Sequence, residues 1–268
     1  MPDIEIISPG QSLRLDPQAS GFAHGFGLFE TICLRGGRLE LWPAHWQRLK
    51  RSPAELGMQL THDQGEALDA VRTLAGDLPP DALIKLSLIK EAGASRLLVY
   101  SRPLDSPPDR IGLLLDGLAR IDEKSLLAGY KTHNYLENIM VTGSARAAGC
   151  YDGLRLDTKG HIAEGALSNI FFYKDDCLRT SGLESGLLPG VMREALLEVM
   201  SVKVGSYAPA DLTGAEAVFL TNSSISLQPV DFLLSGGSEI KLSSKAHHCF
   251  KPARSLLAEK IKASAIEL

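Results

Sequence analysis

The segment PLDSPPDR at 103–110 constrains the fold more than any other stretch, because it places three prolines within six positions. Proline fixes φ, lacks a backbone donor and restricts the residue before it, so the segment suits an extended linker better than a helix or strand. It divides the 268 residues into two parts, each large enough for its own core. We predict a smaller N-terminal α/β domain over 1–105 and a larger C-terminal α/β domain over 106–268.

Both parts mix strand and helix patterns. In the first, a strand at 28–35 runs through Gly36-Gly37 into 39–42, which is typical of a hairpin. The other predicted elements are a helix after Pro43 divided near Pro53, a helix over 63–75, strands at 82–89, 96–101, 111–115, 153–157, 168–173 and 216–221, and helices over 134–148, after Pro189 and near the C-terminus. Because strands and helices do not alternate regularly, we predict a mixed α/β (α+β) fold rather than a doubly wound parallel sheet.

Composition excludes several classes of function. The chain has 28 Lys and Arg against 32 Asp and Glu, so its net charge of −4 offers no general attraction for nucleic acid. The four cysteines are widely spaced and form no C-x-x-C pair, which argues against disulfides and predicts no metal site. An acidic N-terminus and the lack of a long apolar run predict no signal peptide and no membrane partner. We therefore expect a cytoplasmic protein.

Four short segments combine residue types that packing alone does not explain. They are HWQRL at 45–49, KTHNYL at 131–136, EGALSNIF at 164–171 and LPGVMR at 188–193. With these four, the chain resembles the class IV (fold type IV) pyridoxal-phosphate enzymes, which include branched-chain and D-amino-acid aminotransferases and aminodeoxychorismate lyases. The resemblance extends to GFGLFET at 25–31 and TNSSISLQPV at 221–230, so that six segments match in order between about residues 21 and 230. The resemblance implies the two-domain D-amino-acid aminotransferase-like fold, pyridoxal 5'-phosphate as cofactor and a homodimer.

The resemblance assigns three principal residues. Lys131 matches the lysine that holds the cofactor as an imine and then acts as a base. Glu164 matches the acid that keeps the pyridine nitrogen protonated, and Arg48 matches the phosphate-binding arginine, whose guanidinium suits phosphate oxygens. Taken singly, each residue has a plain alternative as a solvated side chain.

The resemblance also implies further cofactor-binding and substrate-contacting residues. The backbone N–H groups of Gly190 and Val191 open a predicted helix and suit the cofactor phosphate. The other expected cofactor-binding residues are Met192, Ser223, Ser168 and Asn169, although Ser168-Asn169 suits a turn nearly as well. Alternation along the strand at 28–35 places Phe29 and Thr31 on one face, and these two residues with Tyr135 are the weaker candidates for contacting substrate.

Two local features favour the lyases within this family. Gly-Val-Met-Arg at 190–193 and Thr-Asn-Ser at 221–223 are more similar to lyase motifs than to branched-chain aminotransferase motifs. We therefore expect a small-molecule enzyme, a 4-amino-4-deoxychorismate lyase that eliminates pyruvate and forms 4-aminobenzoate for folate biosynthesis. The alternatives are a class IV aminotransferase for D-amino or branched-chain amino acids, and a non-catalytic cofactor-binding module. The last remains open because Phe26 and Lys90-Glu91-Ala92-Gly93 depart from the family pattern.

Overall fold

The computed structural model describes residues 4–116 and 119–268, so the first three residues of the predicted N-terminal domain lie outside the described residues. Its strands, in chain order, are β1 (Glu5–Ile7), β2 (Gly27–Arg35), β3 (Arg38–Leu39), β4 (Ala82–Lys90), β5 (Ser95–Arg102), β6 (Gly112–Leu114), β7 (Arg120–Ile121), β8 (Asp152–Asp157), β9 (Ile162–Gly165), β10 (Asn169–Lys174), β11 (Cys177–Ser181), β12 (Val202–Gly205), β13 (Ala217–Asn222), β14 (Ser226–Pro229), β15 (Phe232–Ser235), β16 (Ser238–Lys241) and β17 (Ile266–Glu267).

The α-helices of the described residues are α1 (Ser20–Ala23), α2 (Trp42–Glu55), α3 (Gln64–Ala75), α4 (Leu136–Ala147), α5 (Val191–Val199), α6 (Pro209–Thr213) and α7 (Phe250–Ser264). Within this described part of the chain, no helix has the length and apolar character needed to cross a bilayer. The mixture of parallel and antiparallel strand pairs with helices confirms the predicted mixed α/β fold class.

The chain forms two compact units. Unit 1 contains the described residues up to Asp105 together with 130–134 and 261–268, and unit 2 contains the described residues of 106–129 and 135–260. The sequence analysis assigns 130–134 and 261–268 to the C-terminal domain. They pack in unit 1 because the Phe29 N–H donates to the Lys131 carbonyl at 2.9 Å and because β17 pairs with β3.

Unit 1 is built on one sheet with strand order β1-β5-β4-β2-β3-β17. Its β1–β5 pair is parallel, and its β5–β4, β4–β2, β2–β3 and β3–β17 pairs are antiparallel. Alternate apolar side chains of the central strands are buried with the apolar faces of α2 and α3, which gives the unit its core. The largest contributors are Leu28, Ile32, Trp42, Trp46, Leu49, Leu74, Ile84 and Leu86.

The β2–β3 hairpin forms as predicted at Gly36-Gly37, whose φ values of 55° and 73° suit glycine. The predicted strand at 39–42 was wrong beyond Leu39. Leu41 adopts a left-handed φ of 51°, and α2 begins at the next residue. Pro53 does not divide this helix. It falls in the last turn, so only two helical residues follow the position where its ring and missing N–H disturb the backbone.

Unit 2 contains two sheets, with strand orders β12-β11-β10-β13-β14 and β16-β15-β6-β8-β7, and β9 pairs with β8. Inward-facing residues of both sheets share a buried cluster, so the two sheets stabilise each other. Its central members are Leu113, Leu154, Phe172, Val218, Leu220 and Leu233. This packing fixes the ends of β9, β10 and β13, which carry the candidate site residues of the unit.

Asp63 forms a capping box with Glu66 at the start of α3, accepting the Glu66 N–H at 2.9 Å. We expect Asp63→Ala to lower the free energy of unfolding by about 1 kcal/mol, because a first-turn donor loses its partner. Urea unfolding followed by circular dichroism measures this change. Asp69→Ala, an exposed change in the same helix, is the control and should cost less than about 0.5 kcal/mol. Equal losses in the two variants would contradict a specific capping contribution.

Candidate active site

Strand β2 presents two chemically different faces, as its alternating sequence predicts. On one face, Leu28 is buried in the core of unit 1. On the other, the strand register pairs Phe29 with Ser87 on β4. Two positions further on, the register pairs Thr31 with Lys85. We call the surface on this side of the sheet the polar face; it is formed by Phe29, Thr31, Lys85, Ser87, Tyr100 and Arg102.

Residues 131–133 extend the sheet of unit 1 beside the start of β2. The Phe29 N–H donates to the Lys131 carbonyl, and the His133 N–H donates to the Gly27 carbonyl, each at 2.9 Å. Thr132 forms an isolated bridge with Leu28. Because Thr132 shares the core side with Leu28, alternation directs Lys131 and His133 to the polar face.

Two lysine amines contact one aromatic ring on the polar face. Lys131 Nζ lies 4.4 Å from the centroid of Phe29, and Lys85 Nζ lies 3.9 Å from the same centroid. Lys85 also donates to Thr31 Oγ1 at 2.6 Å. Burial, together with the charges of Lys131 and Arg102, lowers the pKa of Lys85 to about 7. The structure thus brings the predicted residues Lys131, Phe29 and Thr31 together and adds Lys85, which the sequence analysis missed.

A cavity of about 920 Å³ opens on the polar face of unit 1. Its polar lining includes Ser87, Tyr100, Arg102 and His133. The His133 ring centroid lies 5.3 Å from that of Phe29, and its buried Nε2 has no hydrogen-bond partner among the described residues. A mostly apolar cavity with a few polar groups is the usual form of a small-molecule site.

Arg48 lies on the opposite side of β2, in a buried cluster with Glu30 and His45. Its Nε and one terminal nitrogen donate to the two Glu30 carboxylate oxygens at 2.7 and 2.6 Å, and His45 Nδ1 lies 2.7 Å from Glu30 Oε2. Burial alone raises the pKa of Glu30, but the charge and hydrogen bonds of Arg48, with those of His45, lower it to about 2. Glu30 therefore fixes the orientation of the guanidinium that sequence analysis expects to bind phosphate.

Glu164 is buried at the end of β9 in unit 2. Its Oε2 accepts hydrogen bonds from the Asn169 side-chain amide at 3.2 Å and from the Leu188 N–H at 3.0 Å. The same amide donates to the Leu188 carbonyl at 3.0 Å, and Arg155 Nη1 lies 3.8 Å from Glu164 Oε1. The structure thus joins the predicted residues Glu164 and Asn169 to the backbone that precedes α5.

Gly190 is the N-cap of α5 and, as glycine, has no side chain of its own to cap this helix. A Cβ at position 190 would lie 1.9 Å from Asn169 Oδ1, so this close approach requires glycine. The first-turn N–H groups at Val191 and Met192 carry the partial positive charge of a helix N-terminus. The Met192 side chain itself is buried, so only its backbone can serve an anion.

The remaining predicted residues of unit 2 have mainly backbone or carboxylate contacts. The Ser168 hydroxyl donates to Asp152 Oδ2 at 2.6 Å, and burial raises the pKa of Asp152 to about 6 despite this bond. The Tyr135 hydroxyl donates to the Ala166 carbonyl at 3.4 Å. Ser223 follows Asn222, whose side-chain oxygen accepts the N–H groups of Ser224 and Ile225 and so fixes the turn after β13.

Sequence analysis missed Lys85, His133, Glu30, His45 and Asp152. Lys85 and Ser87 carried a usable signal, because they are the polar alternate positions of the otherwise apolar segment ALIKLSLI. The other partners depend on strand register and helix packing, which motif spacing does not specify.

Comparison with known proteins identifies the family and the fold. The family model for amino-transferase class IV matches residues 27–232. The aminodeoxychorismate lyase of Bacillus subtilis is 28% identical over 236 residues, covering 80% of each protein. The solved 4-amino-4-deoxychorismate lyase of Pseudomonas aeruginosa has a TM-score of 0.76 at 27% identity, covering 93% of this chain and 95% of its own. A hypothetical aminotransferase from Mycobacterium tuberculosis, solved in its pyridoxal-phosphate-bound form, shares the fold, with a TM-score of 0.79 at 23% identity and 96% coverage of both chains.

The Glu30 cluster leads to a prediction about stability. We expect Glu30→Gln to lower the free energy of unfolding at pH 7 by about 3–5 kcal/mol, because it leaves the Arg48 charge buried without its anion. The folded-state pKa of Glu30 is depressed to about 2 from an ordinary 4.5. Its contribution is therefore full above about pH 5 and is lost as the pH falls toward 2.

Urea unfolding between pH 3 and pH 8 measures this difference. The gap between wild type and Glu30→Gln should narrow toward pH 3, while Glu259→Gln, at an exposed helical position, should track the wild type throughout. A gap that stays constant from pH 8 to pH 3 would show that the carboxylate charge is not the source of the stability.

Proposed function

The chain belongs to the amino-transferase class IV family of enzymes, and on that premise we propose that it is a pyridoxal-phosphate-dependent 4-amino-4-deoxychorismate lyase. The reaction removes the enolpyruvyl side chain from the ring, with loss of one ring proton, and yields 4-aminobenzoate and pyruvate. The observation that carries the lyase over an aminotransferase is the likeness to the Bacillus subtilis lyase along 80% of the chain. Membership of an enzyme family argues against the non-catalytic module.

The residues present fit the proposed cofactor. Pyridoxal phosphate needs an amine for attachment, an acid for its ring nitrogen and donors for its phosphate. Lys131 supplies the amine, Glu164 is a buried and hydrogen-bonded carboxylate, and Gly190 begins α5 without a capping side chain of its own. When bound, the cofactor withdraws electrons from the carbon that carries the substrate's amine.

We assign the following roles to the chain's own residues. Lys131 holds the cofactor through Nζ and, once free, accepts the ring proton of the substrate at the same atom. Glu164 keeps a proton on the cofactor's ring nitrogen, and the Asn169 and Leu188 hydrogen bonds fix the direction of its carboxylate. Arg48, the N–H groups at the start of α5 and Ser223 bind the phosphate.

The polar face of unit 1 supports a cyclic anionic substrate. Its cavity of about 920 Å³ is roomy enough for a ring with two carboxylates. Arg102 and His133 line it, and so does Asp81, whose carboxylate already accepts the Gly36 N–H at 2.7 Å. Phe29 presents a ring on the same face, next to the Lys131 amine. The proposal also includes the homodimer and the cytoplasmic location that the resemblance implies.

A product assay separates the lyase from an aminotransferase. Purified protein loaded with pyridoxal phosphate is mixed with aminodeoxychorismate, formed in situ from chorismate and glutamine by the enzyme that makes it. We expect 4-aminobenzoate and pyruvate in equal amounts. If instead a D-amino or branched-chain amino acid with 2-oxoglutarate yields glutamate, and no 4-aminobenzoate forms, the enzyme is a class IV aminotransferase.

Lys131→Ala should remove covalent attachment of the cofactor. We expect no adduct after borohydride reduction and tryptic mass spectrometry, and a fall in product formation of at least about 10³-fold, because both the attachment point and the base are lost. Lys85→Ala is the matched control and should retain the adduct at Lys131. An adduct at another lysine in Lys131→Ala would remove this assignment.

Glu164→Gln should slow turnover far more than it weakens cofactor binding. A neutral amide holds the ring-nitrogen proton less well, so we expect kcat to fall about 10²-fold or more while the cofactor Kd rises less than about tenfold. Steady-state kinetics and a spectral titration measure the two effects. Unchanged kcat would take Glu164 out of the ring-nitrogen role.

A further inference from the structure

The imidazole of His133 is held against β2 on the polar face. The His133 backbone N–H donates to the Gly27 carbonyl at 2.9 Å, and the ring centroid lies 5.3 Å from that of Phe29. A Cβ at position 27 would lie 2.6 Å from His133 Cδ2, so the glycine leaves the room in which the ring lies across the strand. The ring thereby reaches the cavity of about 920 Å³ and forms part of its lining.

The two ring nitrogens of His133 have different surroundings. A hydrogen bond with the Leu28 backbone raises the pKa of the ring, which is the effect expected where the ring is the donor. Nε2 is buried and has no hydrogen-bond partner among the described residues, so the donor is Nδ1. The proton of the neutral ring is therefore on Nδ1, and Nε2 carries a lone pair.

The neutral form of this ring is favoured near pH 7. Burial, and after it the charge of Lys85, lower the pKa of His133 from its ordinary 6.5. Nε2 is then a buried acceptor in the wall of a cavity, and such an acceptor is costly until a donor reaches it. A ligand that carries an N–H group at this point would supply that donor.

We propose that His133 Nε2 accepts a hydrogen bond from an amine N–H of the bound ligand, and so makes the cavity selective for a ring that carries an amine. This inference rests on the proposed function, which supplies the amine-bearing ring as the class of substrate. His133 is then a specificity-determining residue that touches the ligand, and no proton is transferred to it.

The surroundings favour an amine at this end of the cavity. Lys131 and His133 lie on the same face of one short segment, and the Lys131 amine also lies against the Phe29 ring, at 4.4 Å from its centroid. The proposed reaction brings the substrate's amine to Lys131, so its N–H is expected on this side. Arg102 also lines the cavity and, as a donor only, suits a carboxylate of the ligand.

Other titratable groups near His133 also respond to pH. Those that line the cavity, act on His133 or share its segment are Asp81, Lys85, Tyr100, Arg102 and Lys131. In the described part of the chain, β2 and residues 7–25 add no titratable side chain to the cavity lining. Two ligands with the same carboxylate respond alike to these charges, so the ratio of their affinities isolates the amine.

Binding of two matched ligands tests the proposal without turnover. The full chain, supplied with pyridoxal phosphate, is titrated at pH 7.5 with 4-aminobenzoate and with 4-methylbenzoate, which has the same carboxylate and a similar size but no N–H. We expect 4-aminobenzoate to bind about three- to tenfold more tightly to the wild type, as one net hydrogen bond gives. In His133→Phe the two ligands should bind equally.

The pH dependence of this ratio has a fixed sign. The advantage of 4-aminobenzoate should be full above the pKa of His133 and should disappear as the pH falls from 8 to 5, because a proton then occupies Nε2. Nitrogen NMR of the histidine-labelled wild type should show a proton on Nδ1 and none on Nε2 at pH 7.5, with and without 4-aminobenzoate. The His133 signals are those that His133→Phe removes.

His24→Phe is the matched control, because His24 is an exposed histidine of the same unit that follows α1. It should keep the wild-type ratio. Circular dichroism checks that each variant is folded, and His133→Leu replaces His133→Phe if the latter is not. A proton on Nε2 at pH 7.5, equal binding of the two ligands to the wild type, or a ratio that survives the loss of the His133 ring would overturn the proposal.

The two proposals fail in different ways. If the product assay yields 4-aminobenzoate but the affinity ratio is independent of His133, the proposed function stands and the inference about His133 is wrong. If the ratio depends on His133 but aminodeoxychorismate is not converted, the amine subsite stands and the proposed reaction is wrong.

Discussion

The alternation of side chains along β2 is the constraint on which the candidate site depends. Odd-numbered Phe29 and even-numbered Glu30 must point to opposite sides of the sheet. Phe29 therefore meets Lys131 and Lys85 on the polar face, while Glu30 meets Arg48 in the interior beneath α2. A one-residue slip of this strand would exchange the two environments and place a carboxylate among the amines.

The two faces handle buried charge in opposite ways. The Glu30 carboxylate is bound by Arg48 through two hydrogen bonds and also contacts His45. These interactions outweigh the effect of burial, so the pKa of Glu30 falls to about 2. The Lys85 amine contacts only the Thr31 hydroxyl and the Phe29 ring among the contacts described above. Burial and the nearby charges of Lys131 and Arg102 lower its pKa to about 7. The first arrangement holds a charge in place and makes it structural. The second destabilises a charge, and destabilised charges near a reactive group are typical of functional sites.

Sequence alone could predict the type and order of most elements, because hydrophobic period, prolines and glycines act locally. The capping residue Asp63 and the Gly36-Gly37 turn are local signals of this kind. Local signals could not predict that 130–134 belongs to unit 1, because this depends on hydrogen bonds to β2, about 100 residues earlier in the chain. Leu41 also escaped prediction, since a left-handed leucine has no sequence signature.

The residues of the candidate site also fall into two groups, those that a local motif predicts and those that only the folded strand register brings together. Lys131 and Glu164 could be proposed from the resemblance because each stands within a recognisable motif. Lys85 could not, because its place in the site comes from the β2–β4 register, which pairs it with Thr31 and brings its amine against the Phe29 ring, and no motif includes both Lys85 and Phe29. Asp152 shows the same limit in unit 2, where it meets Ser168 only through the pairing of β8 with β9.

In unit 2, backbone groups position the candidate site residues more than contacts between side chains do. Glu164 binds the Leu188 N–H, Asn169 binds the Leu188 carbonyl, and the next turn must pass Asn169 so closely that position 190 admits only glycine. Because α5 starts immediately afterwards, these contacts also set the direction of its first N–H groups. A change at Gly190 would therefore disturb the Glu164 carboxylate and the helix start together, although the two are assigned to opposite ends of the proposed cofactor.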